Sequence, residues 1–105
     1  MDAPRQMKLN AFIYATGHHV AAWRHPKSEA DAGVTFRHYV ELARTAERAK
    51  FDRMFLADSL AVRDQSVETA SRASHYIVQF EPLTLLAGIA ASTERLGLIA
   101  TASTT

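Results

Sequence analysis

The chain has 105 residues, fewer than the roughly 150 typical of one domain, which excludes a multidomain assembly. Lys and Arg number 12 against 11 Asp and Glu, a net charge of +1, so the balance supplies no basic field for nucleic acid or for a membrane surface. Hydrophobic residues at 48% and charged residues at 22% match a folding globular chain, and the absence of cysteine removes disulfides, thiolate metal ligands and a cysteine nucleophile.

The first ten residues, MDAPRQMKLN, carry charge and Pro4 where a signal peptide places an apolar run, so export is not expected. The longest apolar stretch, residues 85–91, falls far short of the roughly 20 residues of a bilayer span. A cytoplasmic location follows as the expectation, with residues 1–6 as a disordered tail. Residues 7–15, MKLNAFIYA, read as a first strand covered on both faces. Residues 15–34 hold two glycines, one proline and three histidines without a clean period, the pattern of a long connection.

From Thr35, the expected cap, the residues Phe36, Tyr39, Val40, Ala43, Ala46 and Ala49 recur at helical spacing. Glu41, Arg44, Glu47 and Arg48 fall on the opposite face and read as solvated. Residues 53–57, RMFLA, form a second apolar run that stops at Asp58 and Ser59, and residues 60–80 read as a polar loop. Glu81 and Pro82 open a second helix, because proline suits the first helical position, with Leu83, Leu86, Ile89 and Ala90 as its expected buried stripe. Residues 96–102, LGLIATA, are a third strand that runs into Ser103, Thr104 and Thr105.

The order is strand, helix, strand, helix, strand, with strand midpoints at Phe12, Phe55 and Ile99. Parallel pairs need such crossovers, so a parallel sheet is implied, in either a doubly wound layer or a closed barrel of eight strand-helix units. No G-x-G-x-x-G or G-x-x-x-x-G-K-[ST] follows any strand, so the usual nucleotide signatures are missing. In a barrel, Asp58, residues 101–105 and the segment TGHHVAAWRHP would all rise at the carboxyl mouth.

The pair His18 and His19, followed by His25, matches no common zinc spacing, and no metal is expected. Ser59 lies outside any G-x-S-x-G elbow, so a hydrolase triad is not supported. Taken singly, the histidines read as backbone- or water-bonded loop rings, Asp58 as a turn residue and Trp23 as a pin holding the loop to the rim.

Three segments, LNAFIYATGHHVAAWRHP, TAERAKFDRMFLADS and EPLTLLAGIAASTERLGLIATASTT, together resemble the amino-terminal part of the nitrilotriacetate monooxygenase component A group of bacterial luciferase-like flavin monooxygenases. The resemblance implies a (β/α)8 TIM barrel, with this chain covering about the first three strands and two helices of one domain. It implies reduced FMN (FMNH2), delivered by a separate NAD(P)H:flavin reductase and reacting with O2 to oxidise a small aminopolycarboxylate or organosulfur substrate with C–N or C–S cleavage.

Carried over residue by residue, Asp58 and Thr104 match FMN-contacting positions, and His18, His19 and Trp23 resemble loop residues on the substrate side. No catalytic acid or base follows. A homo-oligomer is the expected assembly. Eight units of about 44 positions need about 350 residues, so either further strands or complementary chains should cover the sheet edges, and the isolated chain should not turn over. The rival readings are a deazaflavin-dependent oxidoreductase on the same fold and a non-catalytic flavin-binding or assembly module.

Overall fold

The computed structural model describes residues 3–58, 66–72 and 78–102. Three strands, β1 (Asn10–Ile13), β2 (Arg53–Leu56) and β3 (Gly97–Ala100), pair in parallel in the order β1-β2-β3. The crossovers are supplied by α1 (Phe36–Arg48) between β1 and β2, and by α3 (Pro82–Ala90) between β2 and β3. An additional two-turn helix, α2 (Val67–Arg72), lies in the segment expected to be wholly loop. It has no apolar stripe to announce it, and its visible support is the Glu68–Arg72 ion pair at 2.7 Å, one turn apart on the surface.

Alternation along the strands sorts the sheet into two faces. Met54 and Leu56 are buried and pack with Ala11, Ile13, Leu98 and Ala100 against Tyr39, Ala43 and Ala46 of α1 and Leu85, Leu86 and Ile89 of α3. The opposite face aligns Phe12, Phe55 and Ile99 in one row, because the register pairs each with the next. Phe12 is 45% and Ile99 37% exposed, so the expectation of strands covered on both faces holds for the helix side only.

The helices differ from the sequence pattern at their edges. Thr35 stands at the N-cap of α1 without capping it; its hydroxyl donates to the Asp31 carbonyl at 2.9 Å. On α3 the buried residues are Pro82, Leu85, Leu86 and Ile89, one stripe at i, i+3, i+4 and i+7, whereas Leu83 is exposed. Glu81 caps this helix as the Glu-Pro pair suggested, accepting from the N–H of Leu83 at 3.0 Å and of Thr84 at 2.7 Å.

α1 closes with a backbone bond from Phe51 N–H to the Ala46 carbonyl and a left-handed Lys50 at φ 65°. This is the Schellman geometry that glycine ordinarily serves, and a side chain there costs conformational energy. Lys50→Gly is expected to stabilise the protein by about 1 kcal/mol, read as a higher urea midpoint at unchanged slope.

Glu47 is not a solvated bystander. Its carboxylate crosses to the turn before β3 and accepts from the N–H groups of Glu94, Arg95 and Leu96, the last two at 2.8 Å. The bonds from Arg95 and then Leu96 hold its carboxyl below the ordinary carboxylate range, against the opposing effect of desolvation. A folded pKa below the unfolded one contributes stability above the unfolded value and loses it as pH falls through the folded value. Glu47→Gln is therefore expected to flatten the loss of stability on acidification from about pH 6 to about pH 3, checked by urea midpoints of parent and variant across that range.

Candidate active site

The carboxyl ends of all three strands lie on one rim, and β1 shows how the chain leaves it. After Ile13, the Gly17 N–H donates to the Tyr14 carbonyl at 3.1 Å. Gly17 adopts φ +96°, where an L side chain is strained, so this turn depends on glycine. The chain folds back and lays His18 against β1. A carbonyl oxygen only accepts, so the 2.8 Å contact between His18 Nε2 and the Phe12 carbonyl makes Nε2 the N–H nitrogen. The ring meets Phe12 and Tyr14 edge-on, with centroids 4.6 Å and 4.7 Å away.

The following histidines are bound in the opposite sense. His19 Nδ1 accepts from the Ala21 N–H and His25 Nδ1 from the Lys27 N–H, each at 3.1 Å, which leaves the ring N–H on Nε2 in both. A 3-10 turn at Ala22–Arg24 places the Arg24 guanidinium 5.9 Å from the Trp23 ring centroid, within cation–π range. A second such turn, Ala32–Val34, returns the loop with Ala32 and Gly33 buried. The backbone passes so close there that a Cβ on Gly33 would lie 2.8 Å from the Val78 carbonyl oxygen.

Loop, strand end and helix enclose an open cavity of about 860 Å³. Its walls include Phe12, Tyr14, Thr16, His18 and His19 from β1 and the turn, Arg24, His25 and Lys27 from the loop, and His38 and Leu42 from α1. Glu29 is the one acidic residue in this lining, beside the cationic Arg24 and Lys27, and the wall is otherwise largely apolar. The Thr16 hydroxyl is buried with no protein partner, a state that costs free energy unless something else bonds it.

His18 and His19, singled out from the sequence, thus meet in one cavity. Trp23 stacks beside Arg24 and is not among the lining residues. Asp58 follows β2 by two positions, at the carboxyl end of the strand, and is not among the residues that line this cavity. Thr104 lies outside the described residues, as do Ser103 and Thr105. Among the described residues no three His, Asp or Glu side chains gather as a metal set.

Sequence reading missed His38 and Glu29, and placed Thr16 at the mouth within TGHHVAAWRHP without assigning it a role. A signal for His38 was present: it stands four positions before Leu42, so one face of α1 beside the main stripe carries a ring and a leucine among charged neighbours.

A parallel β/α layer with its cavity at the carboxyl rim has the arrangement by which barrel enzymes present their sites. Residues 11–105 match the luciferase-like monooxygenase family model, and the chain belongs to that family. It is 48% identical over 101 residues to the N-acetyl-S-(2-succino)cysteine monooxygenase of Bacillus subtilis (strain 168), covering 96% of this chain and 22% of that protein. It is 38% identical over 111 residues to nitrilotriacetate monooxygenase component A of Aminobacter aminovorans, covering all of this chain and 24% of the relative.

The crystal structure of the long-chain alkane monooxygenase LadA superposes with a TM-score of 0.77 at 32% identity, over 95% of this chain and 24% of that one. Riboflavin lyase RcaE, solved with modified FMN and riboflavin, superposes at 0.79 with 26% identity, over 94% of this chain and 23% of that one. The fold is therefore that of the luciferase-like TIM barrel, and the chain spans about a quarter of the length of these relatives.

Proposed function

We propose that residues 1–105 form the amino-terminal portion of a single barrel domain in an FMNH2-dependent two-component monooxygenase, with a separate NAD(P)H:flavin reductase supplying the reduced flavin. The observation that carries this reading is the open cavity on the carboxyl rim of an all-parallel sheet in a chain of the luciferase-like family. The residues present fit a flavin: the cavity volume of about 860 Å³ lies in the range of cofactor pockets, and the unpartnered Thr16 hydroxyl asks for a bond. Phe12, Tyr14 and the edge-on His18 give one wall an aromatic character suited to a planar ring system.

Asp58 and Thr104 are the residues proposed to hold the flavin, and His18, His19 and Trp23 those proposed to face the substrate, with Asp58 and Trp23 acting from beside the cavity, which neither lines. A carboxylate beside a phosphate would be repelled, so Asp58 is assigned to the ring or ribityl donors. Reduced flavin, when bound, supplies two electrons to O2, so that one oxygen atom enters the substrate and the other leaves as water. The protein's part is orientation and exclusion of water. Arg24 and Lys27 on the rim favour an anionic small molecule, which supports the aminopolycarboxylate class over a neutral organosulfur compound. The row Phe12, Phe55, Ile99 is assigned to the barrel interior, and the outer edges of β1 and β3 to pairing with the remaining strands.

The test is oxygen uptake by the intact protein with FMN and a flavin reductase, with candidate amino- and thioether-carboxylates offered in turn. Substrate-dependent uptake with one ¹⁸O atom in the product is expected. Hydride transfer from a reduced deazaflavin without oxygen uptake would move the chain to the deazaflavin reading. Absence of any flavin response, together with self-association by light scattering, would move it to an assembly module.

A further inference from the structure

The loop that carries His18 and His19 leaves β1 after Ile13, passes Ala15 in its first turn and returns through Glu29, and one side chain touches both limbs. His38 of α1, only 19% exposed, brings Nε2 to 2.7 Å from the Ala15 carbonyl and Nδ1 to 4.0 Å from Glu29 Oε2. The carbonyl accepts only, so Nε2 donates, and the contact joins residues 23 apart in sequence. β1 ends at Ile13, and Ala15 is the second residue of the turn that the Gly17 N–H closes onto the Tyr14 carbonyl, so its carbonyl belongs to the turn that starts the loop. Pinning that carbonyl to a helix fixes the origin of the loop, and Glu29 on its return stands at ion-pair distance from the ring, a contact that attracts when the imidazole is protonated. The same ring is part of the cavity wall, so the fastening and the binding surface are one group.

We propose that His38 is the positioning residue of this site, holding the segment between residues 16 and 29 in the conformation that presents His18 and His19 to the ligand. The role rests on the monooxygenase reading for its effect on turnover and not for the fastening itself. His38 contacts no assigned reacting group; it acts through Ala15 and Glu29.

Two replacements separate the hydrogen bond from the bulk. His38→Leu fills the space without a donor, and His38→Gln keeps an N–H near the Nε2 position. In the intact protein, backbone amide hydrogen exchange between residues 16 and 29 is expected to speed up about tenfold in His38→Leu, the amount one net hydrogen bond supports, and to return toward the parent rate in His38→Gln. Exchange in β2 should be unchanged in both. In the oxygen-uptake assay the leucine variant should raise KM about tenfold with kcat little altered, and glutamine should rescue it. Should His38→Leu fail to fold, Glu29→Ala removes the outer contact without offering Nδ1 a new donor and should raise exchange near Glu29 about twofold to threefold.

Parent-like exchange in His38→Leu, equal exchange in the leucine and glutamine variants, or an unchanged rate in Glu29→Ala where that variant stands in, would overturn the proposal. Exchange needs no turnover, so an inactive parent would count against the monooxygenase reading and leave the fastening to be decided by these rates.

Discussion

Replacing Ile89 with alanine is expected to destabilise the protein by about 3 kcal/mol, whereas Leu83→Ala, two positions into the same helix, should cost under about 1 kcal/mol. Ile89 is fully buried among Met54, Leu86 and Leu96, in the one layer where α1, α3 and the sheet all meet. Removing its outer carbons loses their transfer free energy and leaves a cavity that helices pinned at both ends cannot collapse into. Leu83 is 58% exposed and loses little on truncation. A domain holds only about 5–15 kcal/mol in total, so the first change should move the urea midpoint well outside error. Equal effects at the two positions would mean that the helix packs with the stripe suggested by its sequence and not with the one observed.

The second large effect is on the cofactor. Asp58→Ala is expected to weaken binding of FMN by the intact protein at least tenfold, since a hydrogen bond to a charged group is worth about 1.5–3 kcal/mol. Asp58→Asn retains an accepting oxygen and should lie between parent and alanine variant. The competing role for an aspartate that ends a strand is to hold a turn, and it makes a different pattern: both variants would lower stability and neither would change flavin affinity. Equilibrium titration followed by flavin fluorescence, alongside urea midpoints for all three proteins, distinguishes the two.

The parallel order was legible because apolar runs at Phe12, Phe55 and Ile99 alternate with two strong helical patterns, and a parallel pair leaves no other short connection. The rim could be read for the same reason, since strand direction fixes where the polar residues after β1 and β2 emerge. Three features resisted. Glu47 looks solvated along its own helix, and its partners lie 47 to 49 positions away, a distance no local pattern reports. Leu83 and Leu85 differ in burial because the stripe starts at Pro82 and runs through Leu85, Leu86 and Ile89, and with leucine at 83, 85 and 86 the apolar pattern alone fits two stripes. His38 showed only as a ring four positions before Leu42, and its two contacts lie in a loop without any period, so its role could not be read from the helix. Family resemblance supplied Asp58 as a flavin residue, whereas the local sequence favoured a turn.

The flavin's position in the barrel can be observed directly in a crystal structure of the intact protein soaked with FMN. The ring system is expected at the carboxyl rim of β1, β2 and β3, with Asp58 within hydrogen-bond reach and the aromatic wall of Phe12, Tyr14 and His18 bordering the same mouth. Flavin bound instead at the amino-terminal edge of the sheet, in the charged hollow lined by Arg48, Lys50, Asp52 and Arg95, would contradict it.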